Sequence, residues 1–493
     1  MKHSILKKTF FLAAFLIFSI IVKAEGNGPY VPETDSLVLK KIKEWQDLKF
    51  GLLMHWGAYS QWGIVESWSI CPEEFGWCRR YMGSDPDNYN TYLKEYEDLK
   101  LTFNPVYFNP EKWAKAAKEA GMKYVIFTTK HHDGFCMFDT KYTDYKITDK
   151  ACPFHKNPRA NVTKEIFKAF REQGFWTGAY FSKPDWHSPY FWSPKYPPKD
   201  RSVNYNPDEN PELWQKFVDF THHQVMELVN GDYGKVDILW FDGGWVQKKP
   251  KTYMKRYYAE QVDKTPGGYV KTREVNMDIK MDDLVDQVRK VQPGIIVVDR
   301  AVYGKNQNYL TPENTVPEKA LPYPWESCII SGGGWSFTPD AHYKSGHDAI
   351  QLLVDIVSKG GNLLLNIAPS PTGEWQQGAY DLLKEYADWM KINAEAIYGT
   401  RPLAPFKADN ICMTQKEDGT VYYYYMAEKD ETQLPAEIVI KVKKPAKNKK
   451  ITLLGSNEEL AWKSLGKNSF KIMIPEKLRE NPPSKYVWVF KVF

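Results

Sequence analysis

Residues 236–245 read VDILWFDGGW: an apolar run that closes on an acid, a pair of glycines and a tryptophan. A run rich in β-branched and aromatic side chains, without polar alternation, is what a strand buried on both faces requires. Runs of the same kind stand at 50–55, 124–129, 177–182, 295–298 and 362–367. Between them lie amphipathic stretches at 110–121, 163–174, 211–231, 281–294 and 348–361, most of them closed by glycine, the usual helix stop. Strand–helix alternation of this kind demands a parallel sheet with helical crossovers, and over roughly 350 residues a (β/α) barrel is its natural closure. The fold class is therefore α/β, an irregular (β/α)8-like TIM barrel, because six strands are legible rather than eight. An open doubly wound sheet is the other closure. No Gly-x-Gly-x-x-Gly follows any of the runs, which removes the main argument for a dinucleotide fold.

Outward from the barrel the pattern changes twice. A last helix at 380–399 precedes Thr400-Arg401-Pro402, after which short strands at 421–428, 436–444, 449–455, 469–475 and 485–493 alternate with turns. This predicts an all-β C-terminal domain over 401–493, a sandwich. Residues 246–280 are polar and Lys-rich, as an insertion is rather than a core element. Residues 1–24, MKHSILKKTFFLAAFLIFSIIVKA, carry lysines, an apolar run of about fourteen residues and a small residue at the end. That is the grammar of a secretory signal peptide, and the run is short of the roughly 20 residues a membrane span needs. The domain reading is thus signal 1–24, barrel 25–400 and sandwich 401–493, with a secreted or periplasmic location and no membrane span once the signal is removed.

The chain has 493 residues and a formal charge of +5. Removing residues 1–24, with four lysines and no acid, leaves 62 basic against 61 acidic side chains. A near-neutral protein with no basic run has no electrostatic reason to prefer nucleic acid. Six cysteines are too few for a disulfide scaffold, although Cys71 and Cys78 lie close enough in sequence to bridge a loop in an oxidising compartment. No Cys-x-x-Cys or His-x-His pair supports structural zinc. Aromatic residues make up 15 % of the chain, and flat aromatic faces suit sugar rings.

A barrel keeps its chemistry at the C-terminal ends of its strands. There the sequence places His55-Trp56-Gly57, Lys130-His131-His132-Asp133-Gly134-Phe135, Tyr180 with Ser182, Trp240-Phe241-Asp242-Gly243, and Asp299-Arg300. Of the six legible strands, all but the last thus end in a polar or ionisable group. Asp242, between Trp240 and Trp245 and before a small-residue turn, suits a nucleophile facing a ring.

KFGLLMHWGAYS (49–60), KYVIFTTKHHDGFCMFDTKYTDY (123–145), VDILWFDGGW (236–245) and GGNLLLNIAPSPTGEW (360–375) resemble, in order, the signature blocks of the α-L-fucosidases of glycoside hydrolase family 29. The resemblance covers about 49–399 and implies an irregular barrel followed by a β-sandwich. It implies Asp242 as nucleophile, with His55, His131, His132, Tyr180, Trp240 and Arg300 forming the fucose pocket. Trp240 or Trp335 would meet the sugar's methyl face. Glu66 and Trp68, in Glu66-Ser67-Trp68, stand where many members have Glu and Trp adjacent. The general acid/base is Glu313, with Glu326 as the alternative. The mechanism implied is double displacement with retention of configuration, on a fucosylated oligosaccharide or glycoconjugate, with no metal or other cofactor. The oligomeric state stays open. The rival readings are a metal-dependent barrel hydrolase built on His55, His131, His132 and Asp242, and a glycan-binding protein without catalysis. Adjacent histidines on a strand point to opposite faces, which makes the metal reading awkward.

Overall fold

The computed structural model describes residues 30–493, so the expected signal peptide lies outside the described residues. The barrel strands are β1 (Phe50–Met54), β2 (Tyr124–Lys130), β3 (Trp176–Ser182), β4 (Ile238–Asp242), β5 (Ile296–Asp299), β6 (Glu326–Ile330) and β7 (Asn362–Asn366). They form one 7-stranded sheet in the order β5-β4-β3-β2-β1-β7-β6, with every pairing parallel. The missing strand of the sequence reading is β6, whose short run ESCII begins on an acid and hides its character.

Side chains alternate between two cores. Leu53, Tyr124, Ile126, Tyr180, Ile238, Trp240, Ile296, Val298 and Leu364 point inward and fill the barrel. Leu52, Val125, Ala179, Leu239, Val297 and Leu363 point outward against the helices. Burial of both faces is why the runs carry no polar alternation. Gly51 makes room inside: a Cβ there would lie 2.3 Å from the Tyr124 ring. The floor is a helix the sequence reading missed, Ser36–Leu48, capped by the Asp35 carboxylate on Leu37 N and Val38 N. Its Val38, Ile42 and Trp45, spaced along one face, enter the interior, where Trp45 stacks on Tyr309 at 4.0 Å.

No named strand joins β5 to β6. Residues 306–314 bridge that seam instead. Asp299 N donates to Asn306 O and Asn308 N to Val297 O on one side; Glu326 N donates to Leu310 O and Cys328 N to Pro312 O on the other. The segment runs antiparallel to β5 and then parallel to β6, acting as an irregular stave. Residues 246–280 contain the helix Lys251–Lys264, none of whose residues is buried.

The C-terminal strands are β8 (Arg401–Ala408), β9 (Ile411–Gln415), β10 (Val421–Met426), β11 (Glu437–Ile440), β12 (Ile451–Leu453), β13 (Trp462–Ser464), β14 (Phe470–Met473) and β15 (Val487–Val492). They form two antiparallel sheets, ordered β12-β15-β10-β9-β8 and β11-β14-β13. Ile438, Phe470 and Ile472 of one sheet share a core with Met413, Tyr423, Leu453 and Phe490 of the other, which makes a sandwich. The Trp389 indole of the last barrel helix donates to Val487 O at 2.9 Å and ties the two units together. No helix among the described residues is long and apolar enough to cross a membrane.

Candidate active site

The C-terminal ends of β1 to β5 and β7 converge on one pocket. Asp242, the last residue of β4, keeps 16 % of its side chain exposed. Its Oδ2 accepts from the Tyr180 hydroxyl at 2.7 Å, and its Oδ1 from Gly243 N at 2.8 Å and from Arg300 Nη1 at 3.2 Å. Burial alone would raise its pKa. The Arg300 charge and the Tyr180 and Gly243 donors outweigh burial and hold the carboxyl well below the usual range. Asp242 is therefore ionised at any working pH.

Arg300 also binds Glu313 through Nη2. One guanidinium thus faces two carboxylates, one on each terminal nitrogen. The Trp335 indole donates to Glu313 at 3.2 Å, and the Glu313 side chain is 32 % exposed. Glu326 is elsewhere. It opens β6 opposite Asn362, at the end of the sheet away from Asp242, with no exposure. There the Tyr124 hydroxyl donates to it at 2.6 Å, and burial pushes its pKa up to about 7.

The block KHHDG owes each residue to a contact. Lys130 points away from the pocket to Asp185 (3.0 Å) and Gln224 (3.1 Å). Asp133 accepts from the Tyr96 hydroxyl at 2.9 Å. Gly134 has φ +80°, and a Cβ there would lie 2.2 Å from the Asp185 carboxylate, so only glycine fits. The pairing of β2 with β3 slips between Thr128 and Lys130, and the strand then ends. His131 and His132 consequently sit in a turn, and their rings lie 4.2 Å apart on the same side. The strand rule that made their joint use awkward does not apply here. His131, His132 and Asp242 place ligand-type atoms within 4.8 Å of one another. The Arg300 guanidinium on the same carboxylate is a poor neighbour for a metal ion.

The hydrogen-bond partners fix two tautomers. His55 Nδ1 faces Asn366 Oδ1 at 2.9 Å, while the Asn366 amide donates to Trp335 O, so Nδ1 carries the proton and Nε2 is free to accept. Ser182 donates its hydroxyl to Pro184 O and so accepts from His132 Nδ1. The bare His132 Nε2 then lies 3.9 Å from Asp242 Oδ2, too far to bond. Burial lowers the pKa of His55 and His132 to about 4 and that of His131 well below its usual value, so all are neutral near pH 7. His131 Nδ1 is bonded to Ser67 Oγ at 2.5 Å.

Glu66 is 2 % exposed, and its Oε1 finds no hydrogen-bond partner among the described residues. Burial, reinforced by the charges of Glu313 and Asp242, pushes its pKa up to about 8. Trp68 packs edge-on to His132 at 5.2 Å. Trp240 stacks with Tyr180 at 5.2 Å, and Trp335 lies 5.3 Å from His55.

Residues 17–395 match the family described as alpha-L-fucosidase, and residues 406–493 match its C-terminal domain. The chain belongs to the α-L-fucosidase family. Human plasma alpha-L-fucosidase is 26 % identical over 486 residues, covering 94 % of this chain and 92 % of that protein. An alpha-L-fucosidase of Branchiostoma floridae is 25 % identical, covering 97 % and 98 % of the two chains. Among solved structures, alpha-L-fucosidase isoenzyme 1 from Paenibacillus thiaminolyticus is 27 % identical with a TM-score of 0.70, covering 93 % of this chain and 99 % of its own. The Thermotoga maritima alpha-fucosidase in complex with fucose is 25 % identical with a TM-score of 0.68, covering 94 % and 100 %. This fucosidase family fold is the one described above, a curled parallel sheet followed by antiparallel sheets.

Apart from Glu326, the side chains singled out in the sequence meet in one pocket, but residues that hold them were not among the candidates. The last barrel strand does contribute: Asn366, the polar end of the 362–367 run, fixes His55. Ser67, Trp186 and Arg201 sit in loops with no periodic signal. A buried Lys183–Asp299 pair, in which Lys183 directly follows β3 and Asp299 directly precedes Arg300, braces the ends of β3, β4 and β5, since Lys183 N also donates to Asp242 O at 3.0 Å.

Proposed function

We propose that this protein is a secreted, retaining exo-α-L-fucosidase that removes terminal α-linked L-fucose from glycans through a covalent fucosyl-Asp242 intermediate. The observation that carries this reading is the pair of carboxylates on Arg300. Asp242 is held ionised, and Glu313, more exposed, stands across the same guanidinium. Retaining glycosidases need two carboxyl groups about 5–5.5 Å apart, one a nucleophile and the other an acid and then a base.

In the first step an Asp242 oxygen bonds to C1 of fucose as the glycosidic C–O bond breaks, and the Glu313 proton passes to the departing oxygen. In the second, Glu313 takes a proton from water, the water oxygen bonds to C1, and the ester to Asp242 breaks. The neutral imidazoles support a sugar ligand. The gap between His132 Nε2 and Asp242 Oδ2 has two acceptors and no donor, which a sugar hydroxyl satisfies. The unpartnered Glu66 acid, protonated near pH 7, has a hydrogen to give to another. Trp240 and Trp335 offer apolar faces to the methyl group, with Trp68 lining the His132 side. The signal-like residues 1–24 and the plasma relative support secretion.

Turnover of an aryl α-L-fucoside tests the reading, with the anomer of the first-formed fucose followed by NMR. We expect the α anomer first, and no turnover with Asp242→Gly. Inverted product, or near-normal activity in that variant, would refute the mechanism.

A further inference from the structure

The pocket wall continues outward along a ladder of flat groups. Trp68, beside His132, faces the Arg201 guanidinium at 4.9 Å; Arg201 lies 5.2 Å from the Trp245 ring and 5.3 Å from the Phe75 ring. Phe75 stacks on Trp77 at 4.7 Å with an interplanar angle of 3°. These last two rings are 45 % and 48 % exposed, an unusual amount of aromatic surface for a short loop. The loop is anchored. Glu73 accepts from the Arg201 backbone N–H at 2.9 Å and clamps its side chain through Nε and Nη2. The Trp186 and Trp245 indoles both donate to Arg201 O at 3.1 Å. The thiols of Cys71 and Cys78, both buried, meet at the loop's base.

We infer that the Phe75–Trp77 stack is a binding platform for a neutral pyranose ring of the aglycone, the part of a fucosylated oligosaccharide that remains after fucose leaves. This rests on the fucosidase reading and names the substrate class it acts on. A pyranose offers axial C–H groups to an aromatic face, and a platform already held in place costs little conformational entropy on binding. The Glu73 carboxylate neutralises Arg201, so the face favours a neutral sugar over an acidic one. Its continuity with the pocket through Trp68 and Arg201 singles out a sugar chain already seated by its terminal fucose as the occupant.

The test compares Trp77→Ala and the bulk-keeping Trp77→Leu with the parent on two substrates, an aryl α-L-fucoside and a fucosylated trisaccharide. We expect kcat/KM on the aryl fucoside to stay within about twofold, and that on the trisaccharide to fall roughly tenfold, chiefly through KM. An unchanged trisaccharide value, or an equal loss on both substrates, overturns the inference. So does a change in oligomeric state by light scattering, which would make the stack a protein contact. A parent that leaves the aryl fucoside intact refutes the fucosidase reading instead. Calorimetric binding of the trisaccharide to parent and Trp77→Ala then decides the platform alone: weaker binding by the variant supports it, and equal binding overturns it.

Discussion

Replacing Glu66 by glutamine separates the charge of this side chain from its shape. In the folded protein its carboxyl titrates at about 8, against an ordinary value of 4.5. The unfolded chain therefore gives up the proton near 4.5 while the folded chain keeps it to about 8, and in that window unfolding releases a proton. The contribution of Glu66 to stability falls as pH rises through the window, by up to about 1.4 kcal/mol per pH unit. Between pH 5.5 and 7.5 the linkage costs about 2.5 kcal/mol. Glu66→Gln removes it. The assay is urea unfolding followed by tryptophan fluorescence, which reports the barrel because every tryptophan except Trp462 and Trp488 lies before residue 401. The unfolding free energy, variant minus parent, should grow by that amount from pH 5.5 to pH 7.5. Parallel pH dependences would show that Glu66 is already ionised in the folded state and would remove it as a donor to the sugar.

Tyr180→Phe removes the 2.7 Å hydrogen bond to Asp242. A hydrogen bond to a charged group contributes about 1.5–3 kcal/mol, so kcat/KM should fall about 10- to 100-fold. A kcat/KM within about twofold of the parent would detach Tyr180 from the carboxylate's function. Glu313→Ala should cost about 10²- to 10⁴-fold on poor leaving groups and be rescued by azide on good ones, with fucosyl azide as product. Glu326→Ala should give no azide product and lower stability, and Glu326→Gln should keep activity through its remaining acceptor; azide rescue of Glu326→Ala would reverse the assignment. Gly51→Ala should destabilise the barrel by about 1–3 kcal/mol, because the new methyl meets the Tyr124 ring, and urea unfolding at one pH reads it directly.

What the sequence made legible follows from how strongly each side chain is constrained. Strands buried on both faces leave continuous apolar runs, so most of the barrel strands, and with them His55, His131, His132, Tyr180, Asp242 and Arg300, could be placed at one end of a sheet. β6 was obscured because Glu326 opens it and only a short run follows, in a segment otherwise read as loop. The Ser36–Leu48 helix was missed although Val38, Ile42 and Trp45 share one face. The choice between Glu313 and Glu326 could not be made from spacing. It depends on which end of β6 faces the pocket, a property of sheet register. The tautomers of His55 and His132 were equally hidden, since they are set by Asn366, Ser182 and Pro184, which meet only in the folded barrel.

The stave at 306–314 has a consequence for how the molecule fails under stress. Its hydrogen bonds to β5 and β6 are few and irregular, whereas the other staves are laddered along their length. The same stave carries Glu313. If the wall parts first at this seam, the proposed proton donor drifts from its site while the sandwich and the remaining parallel strands stay whole. Warming would then silence turnover before any spectroscopic sign of melting, and cooling would bring it back. In this architecture the most irregularly bonded stave and the proposed acid share one piece of chain.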